Sequence, residues 1–455
     1  MAVRKLFGTD GIRGSANTHP ITPEIALRLG RAVGYLISEN SGRRADHPRF
    51  VIGRDSRRSG EMLEAALVAG LNSIGADVLL AGEIPTPAVA SLVQELKADG
   101  GVVISASHNP AGDNGLKLFE CDGYKLDDAL EERLETLILT EEIDGERPLG
   151  EAIGIATIIP DAMERYAALA KSSVPGMSLH GIKIAVDCAN GASYRSTPQV
   201  LNDLGATLSV FHAAPDGMNI NEGCGSTHGE EISRLVKETG AQIGISHDGD
   251  ADRLVLCDEK GEIVDGDEIL AMTALDALQR GTLAGRTLVA TVMSNFGLDE
   301  SIAAAGGKVL RTAVGDRYVV EAMREGNFSI GGEQSGHLIF RDHGTTGDGL
   351  LAALQVLRIM TESGKPLSEL RCCLKKYPQA QRNLRVKEKP SLESLTEVSS
   401  LVLETEKALA GKGRVLLRYS GTEPKVRLLI EGPDEAMINV AADQIASALA
   451  SAIGE

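Results

Sequence analysis

Gly101-Val102-Val103-Ile104-Ser105-Ala106-Ser107-His108-Asn109-Pro110 is the stretch on which the reading of this chain turns. An apolar, β-branched run opens it, and the turn-rich Ala111-Gly112-Asp113-Asn114-Gly115 follows. Such a run, stopping at Asn-Pro, reads as a buried strand that ends in an exposed loop. In open α/β sheets, loops at the carboxyl ends of strands are where ligands bind. Ser105 and Ser107 alternate, so in a continued strand they would share a face. Ser107 is nearer the loop, beside His108, and is the candidate nucleophile.

Working outward, one pattern occurs three times. A strand-like run (Phe50-Val51-Ile52, Ile182-Lys183-Ile184-Ala185-Val186, Thr287-Leu288-Val289-Ala290-Thr291-Val292) leads into a polar turn and a helix-like segment. Each helix stops at a glycine, Gly75, Gly205 or Gly306, as helices commonly do. A second strand begins at once, at Asp77, Thr207 or Lys308. Each copy is a βαβ unit. A third strand then ends in a polar loop: Ser105-Ala106-Ser107-His108, His247-Asp248, and Gly332-Glu333-Gln334-Ser335-Gly336-His337. Three polar loops at one equivalent place predict a shared cleft. The remainder, with strands at Val415-Leu416-Leu417-Arg418 and Lys425-Val426-Arg427-Leu428-Leu429-Ile430 and a closing helix, reads as a small α+β domain. The expected domains are residues 1–153, 154–256, 257–370 and 371–455.

Composition narrows the function. The chain has 455 residues and a net charge of −18, which argues against nucleic acid or an anionic membrane as partner. No apolar run reads as a membrane span, and residues 1–10 lack the apolar core of a signal peptide. Six scattered cysteines without a CxxC pair point to a reducing cytoplasm.

The loops carry the chemistry. Asp248-Gly249-Asp250-Ala251-Asp252-Arg253 sets three carboxylates at alternate positions, a hard-oxygen set suited to Mg²⁺. It is not a calcium EF-hand, because Arg253 stands where that loop needs glycine. Glu333 and Ser335 can accept from and donate to sugar hydroxyls. Arg418-Tyr419-Ser420-Gly421-Thr422-Glu423-Pro424, with Arg427 beyond, suits a phosphate through guanidinium, hydroxyl and backbone N–H groups. Phe7-Gly8-Thr9-Asp10-Gly11-Ile12-Arg13-Gly14 is a tight turn able to present Arg13 to an anion.

In order and over essentially the whole chain, these stretches resemble the α-D-phosphohexomutase family. SASHNP is similar to its phosphoserine loop, DGDADR to its metal loop, GGEQSGH to its sugar loop and RYSGTEP to its phosphate loop. FGTDGIRG, VGDRYV at residues 314–319 and Gln334 resemble the glucosamine branch. The resemblance implies an α/β fold of three related α/β/α domains with mixed sheets, plus a smaller C-terminal α+β domain, around one central cleft. It implies a cytoplasmic isomerase that interconverts glucosamine 6-phosphate and glucosamine 1-phosphate, feeding UDP-N-acetylglucosamine and cell-wall precursor synthesis. Phosphorylated Ser107 would pass its phosphoryl group to the sugar and recover it from a 1,6-bisphosphate. Asp248, Asp250, Asp252 and the Ser107 phosphoryl oxygen would hold one Mg²⁺ per chain. Glucosamine or glucose 1,6-bisphosphate would be the activator. Arg13 and Arg253 would add positive charge, and the acid/base stays open among Lys117, His337 and Arg13. His108, Glu333, Ser335, Arg418, Ser420, Gly421, Thr422 and Arg427 would bind the substrate. The partner would be a small sugar phosphate, with room left for a homodimer. On the residues alone, a mutase for another hexose phosphate, a sugar-phosphate sensor and a Mg²⁺-dependent phosphatase stay open.

Overall fold

The apolar runs named above become the inner strands of three sheets. The computed structural model describes residues 6–8, 10–41, 47–140, 143, 145, 147–420 and 424–454. The first sheet holds β1 (Ile12–Ser15), β2 (Arg49–Arg54), β3 (Asp77–Glu83), β4 (Gly100–Ile104), β5 (Asp113–Glu120) and β6 (Ala156–Ile158), in the order β1-β5-β4-β2-β3-β6. The second holds β7 (Lys183–Asp187), β8 (Thr207–Phe211), β9 (Ile243–His247), β10 (Leu254–Asp258) and β11 (Ile263–Val264), in the order β11-β10-β9-β7-β8. The third holds β12 (Thr287–Thr291), β13 (Lys308–Thr312), β14 (Ile330–Gly332) and β15 (Leu338–Phe340), in the order β13-β12-β14-β15.

All three share one kernel. A central strand pairs in parallel with the two that follow it, and a fourth returns antiparallel beside the third. Parallel steps need crossover connections, whereas the antiparallel return needs only a loop. Those return loops, residues 105–112, 248–253 and 333–337, are the three polar stretches singled out in the sequence.

Alternation along β2 shows how the first sheet is covered. Val51 faces one apolar core, while Phe50 and Ile52 face another. A sheet buried on both faces is what near-continuous apolar strands require. On the second side, the helix Gly60–Asn72 buries Leu63, Leu67 and Leu71, four residues apart. Each fully buried leucine contributes about 1.5–3 kcal/mol. Gly70 lets this helix meet the helix Pro23–Ser41, since a Cβ there would lie 2.2 Å from Leu27 O.

The first core is continuous across domains. It runs from the helix Thr86–Glu95 through both following sheets to Leu367 and Leu374. The C-terminal domain has its own core, with Val426, Leu428 and Ile430 against Ile438, Ala442, Ile445 and Leu449. Its sheet joins β16 (Gln379–Arg385), β17 (Arg414–Tyr419) and β18 (Lys425–Glu431) in the antiparallel order β16-β18-β17.

One expectation changes. The strand before the first loop ends at Ile104, and Ser107 adopts a left-handed φ of 54°, so Ser105 and Ser107 do not share a strand face. The short strand β6 pairs with β3 in the first sheet, and β11 pairs with β10 in the second. The closing helix Glu435–Ile453 is long and apolar enough, by length and composition, to cross a membrane. Here its apolar face packs on the C-terminal sheet instead.

Candidate active site

Beyond β4 the chain turns sharply, and hydrogen bonds hold the turn. Ser105 Oγ donates to Asp55 Oδ2 at 2.6 Å and accepts from Ser107 N at 2.9 Å. A left-handed non-glycine residue costs about 1–3 kcal/mol, which these contacts offset. The result aims the buried Ser107 hydroxyl out of domain one. Ser107 Oγ donates to Asp248 Oδ2 at 2.6 Å, across 141 residues of sequence. His108 Nδ1 lies 3.3 Å from the same hydroxyl.

Asp248, Asp250 and Asp252 are all buried, and each offers an oxygen within 4.8 Å of the others. Burial, followed by the charges of Asp252 and Asp250, pushes the Asp248 carboxyl up to about 8. Burial pushes Asp252 the same way, but Lys117 and His337 outweigh it and hold its carboxyl well below the usual range. The split has a geometric cause. Lys117 Nζ donates to Asp250 Oδ2 at 2.8 Å and to Asp252 Oδ2 at 3.4 Å. Asp250 Oδ1 and Asp252 Oδ1 are buried without a hydrogen-bond partner. Buried orphan carboxylate oxygens beside a third carboxylate fit a hard divalent cation such as Mg²⁺.

Basic groups ring the triplet. Burial works against the charge on Lys117, but Asp10, Asp250 and Asp252 hold its ammonium above the usual lysine range. Arg13 pairs with Asp10, which also meets Lys125, and Lys125 pairs in turn with Asp316 of domain three. Arg253 N donates to Asp248 Oδ1 at 3.2 Å. His337 Nε2 accepts from Gly347 N at 3.1 Å, and its Nδ1 lies 3.7 Å from Asp252 Oδ2. Burial disfavours a second proton on that ring; Asp252 and Asp316 outweigh it and raise its pKa. Burial, Arg253 and Arg13 push His108 down to about 4, so it is neutral at ordinary pH. Domains one, two and three therefore bring Ser107, His108, Arg13, Lys117, Asp248, Asp250, Asp252, Arg253 and His337 together.

Phosphoglucomutase/phosphomannomutase domain models match all four parts of the chain: α/β/α domains I, II and III over residues 4–144, 164–261 and 265–377, and the C-terminal domain over 382–448. The chain belongs to the phosphoglucomutase/phosphomannomutase family. Within it, the chain is 52% identical to a phosphoglucosamine mutase of Anaeromyxobacter sp. (strain Fw109-5), covering 99% of this chain and 96% of that one. It is 51% identical to a phosphoglucosamine mutase of Syntrophotalea carbinolica, covering 99% and 98%. A family protein from Burkholderia thailandensis superposes with a TM-score of 0.81 at 25% identity, covering 98% and 97%. The fold is also that of Aspergillus fumigatus N-acetylphosphoglucosamine mutase, solved with GlcNAc-6P and magnesium (TM-score 0.67, 19% identity, covering 98% and 95%).

The other two loops of this family member lie further out. Glu333 Oε1 accepts from Gly315 N at 3.0 Å, so the start of the helix Asp316–Gly326 steadies it, while Ser335 is exposed. Arg418 and Arg427 face each other as partners on β17 and β18. Like charges directly opposed destabilise a sheet unless an anion lies between or beside them. Burial and then Arg427 hold the Arg418 guanidinium below its usual range. Ser420 is buried, and its carbonyl accepts from Lys389 Nζ at 2.7 Å. Gly421 and Thr422 lie outside the described residues. Domain four joins domain three through Arg414 Nη2 to Ser294 O at 2.7 Å and Phe296 N to Glu431 Oε1 at 3.1 Å.

Sequence reasoning missed Asp10, Asp55, Arg57, Thr86 and Asn221. Thr86, between two prolines, donates its hydroxyl to Asp250 Oδ2 at 2.7 Å and its N–H to Asp250 O at 3.0 Å. The signal for Asp55 and Arg57 was their place in the polar turn after the first parallel strand. A second cluster of metal-ligand types, Asp187, His212 and Cys224, is engaged internally. Asp187 accepts from Ala189 N at 2.9 Å and Gly225 N at 2.7 Å, and meets His212 Nδ1 at 3.0 Å.

Proposed function

We propose that this chain interconverts glucosamine 6-phosphate and glucosamine 1-phosphate by way of a phosphoryl group carried on Ser107. The observation that carries the reading is the 2.6 Å contact between Ser107 Oγ and Asp248, inside a buried triplet with two orphan oxygens. The substrate comes from relatives of that name at about half identity over the whole length. Asp248, Asp250, Asp252 and the Ser107 phosphoryl oxygen would hold one Mg²⁺, which when bound offsets charge on the transferring group.

The chain's own groups do the rest. In the first transfer the bond from Ser107 Oγ to phosphorus breaks and a bond to a sugar hydroxyl oxygen forms. The hydroxyl proton leaves to His337, while Lys117, held charged by Asp10, Asp250 and Asp252, stabilises the transferring group and accepts no proton. The 1,6-bisphosphate reverses in the cleft, and Ser107 Oγ takes the phosphoryl group from the other end. Arg13 neutralises charge and moves no proton, because Asp10, Asp250 and Asp252 outweigh its burial and hold its guanidinium above the usual range. Glu333 and Ser335 bind sugar hydroxyls in either orientation. Arg418, Ser420, Gly421, Thr422 and Arg427 grip the phosphate that is not reacting. The reading implies a cytoplasmic enzyme with a small sugar phosphate as partner and glucose or glucosamine 1,6-bisphosphate as activator.

The test is turnover of glucosamine 6-phosphate with Mg²⁺ and catalytic glucose 1,6-bisphosphate, with intact mass followed in parallel. Isomer formation with one phosphoryl group on Ser107 is expected. Inorganic phosphate without isomer would make the chain a phosphatase. Faster turnover of glucose or mannose phosphates would move it to another branch.

A further inference from the structure

Two carbonyl oxygens of the Ser107 loop are each gripped from two sides. Arg57 Nη2 donates to Ser107 O at 2.9 Å and to Asn109 O at 2.7 Å. Asn221 Nδ2 donates to the same two oxygens at 2.9 Å and 3.0 Å. Arg57 belongs to domain one, just beyond β2. Asn221 belongs to domain two, between β8 and the helix Gly229–Thr239. The rest of the guanidinium is committed as well: Nη1 donates to Pro110 O and to Asp113 O at 3.0 Å, and Nε to Asp55 Oδ2 at 2.9 Å. Arg57 is fully buried. Burying a guanidinium is costly unless its donors are met, and here most of them serve one loop.

The gripped carbonyl belongs to Ser107 itself, whose left-handed φ of 54° aims the hydroxyl. The metal loop passes over the same atom. A Cβ on Gly249 would lie 2.6 Å from Ser107 O and 2.8 Å from Asn221 Nδ2. Ser107 O is therefore the point where the hydroxyl-bearing turn, the carboxylate loop and two domains are registered.

We propose that Arg57 and Asn221 are positioning residues for phosphoryl transfer: together they hold the turn at Ser107 so that its Oγ meets the carboxylate triplet, and Asn221 fixes domain two to that turn. Neither touches a reacting atom. The inference rests on the covalent reading above.

Two full-length variants test it. Asn221→Asp keeps the shape but sets a carboxylate against two carbonyl oxygens. Arg57→Lys keeps the charge but puts one ammonium where a planar fork reached four carbonyls. With Mg²⁺ present, the single-turnover rate of Ser107 phosphorylation by glucose 1,6-bisphosphate is followed by mass, and kcat and KM are measured with glucosamine 6-phosphate. A misplacement of order 1 Å costs about 10²-fold in rate, so both variants should lose about that in the phosphorylation rate and kcat, with KM within about twofold. The double variant should lose less than the product of the two, since both act on the same atoms. A folded Asn221→Asp variant within about threefold of the wild-type rate, or a loss confined to KM, overturns the proposal. If Arg57→Lys does not fold, Asn221→Asp decides alone; if neither folds, the contacts are structural and the proposal fails. Wild-type Ser107 that never takes a phosphoryl group would remove the covalent reading itself, whereas wild-type and variants phosphorylated equally fast would remove only this inference.

Discussion

Thr86→Val should weaken metal binding more than it weakens the fold. Valine matches threonine in shape and keeps the backbone N–H to Asp250 O, so the change removes only the 2.7 Å hydroxyl contact to Asp250 Oδ2. That oxygen retains Lys117 Nζ at 2.8 Å, so no new orphan is buried. A hydrogen bond to a charged group is worth about 1.5–3 kcal/mol, and with one partner kept the stability loss should be near 1 kcal/mol. The functional effect is larger, because Asp250 Oδ2, left with Lys117 alone, is held less firmly against the other two carboxylates. Loss of a partner that orients a metal-ligating group typically costs about 10–100-fold in affinity. Activity against Mg²⁺ concentration, with calorimetric titration of Mg²⁺ alongside, should show the half-saturation point rising by that factor and kcat at saturation largely restored. Thr86→Ser, which retains the hydroxyl, should behave as wild type. An unchanged Mg²⁺ requirement in Thr86→Val would refute the reasoning.

Ser107→Ala should abolish turnover and leave melting nearly unchanged, and activity in that variant would remove the phosphoserine. Ser105→Ala should be milder but measurable, because its hydroxyl links Asp55 to Ser107 N; complete loss of Ser107 phosphorylation in it would mean the wrong serine was chosen. Arg418→Ala should raise KM for glucosamine 6-phosphate while single-turnover phosphorylation of Ser107 by acetyl phosphate stays near wild type; an unchanged KM would count against the anion grip. Burial pushes Asp348, at the start of the helix Gly349–Ser363, from 3.8 to about 6, against Leu351 N–H and Tyr166 OH. Between those values the folded chain binds a proton that the unfolded chain does not, so stability falls as pH rises through the window. The total is about 3 kcal/mol, and Asp348→Asn should therefore gain on wild type between about pH 4 and pH 7 in urea unfolding. Parallel profiles for the two proteins would contradict this.

Much of the architecture was legible because βαβ units leave a local trace: an apolar run, a polar turn, a helix and a glycine stop. The three return loops could be found the same way, since each follows a third strand. The groups that hold those loops could not. Arg57, Thr86 and Asn221 act on atoms 50 to 164 residues distant, through donors that leave no periodicity. Ser105 was visible but its orientation was not, because β4 stops at Ile104 and the next residues leave the strand. Asp10 and Lys125 matter through Asp316 on the far side of the cleft, a pairing that only the packed domains reveal.

The separate interior of domain four has a mechanical consequence. Shifting any of the first three domains would tear open a continuous oily mass, at a cost that grows with every leucine and valine exposed. Domain four meets domain three mainly through polar contacts at Ser294, Asn295 and Phe296 and one ring contact, Phe296 on Tyr377, and water can take over most of those polar partners when the seam opens. An intermediate that must somersault needs one wall that gives way cheaply, and this is the wall that does. Limited proteolysis should release residues beyond about 375 first and leave the remainder whole.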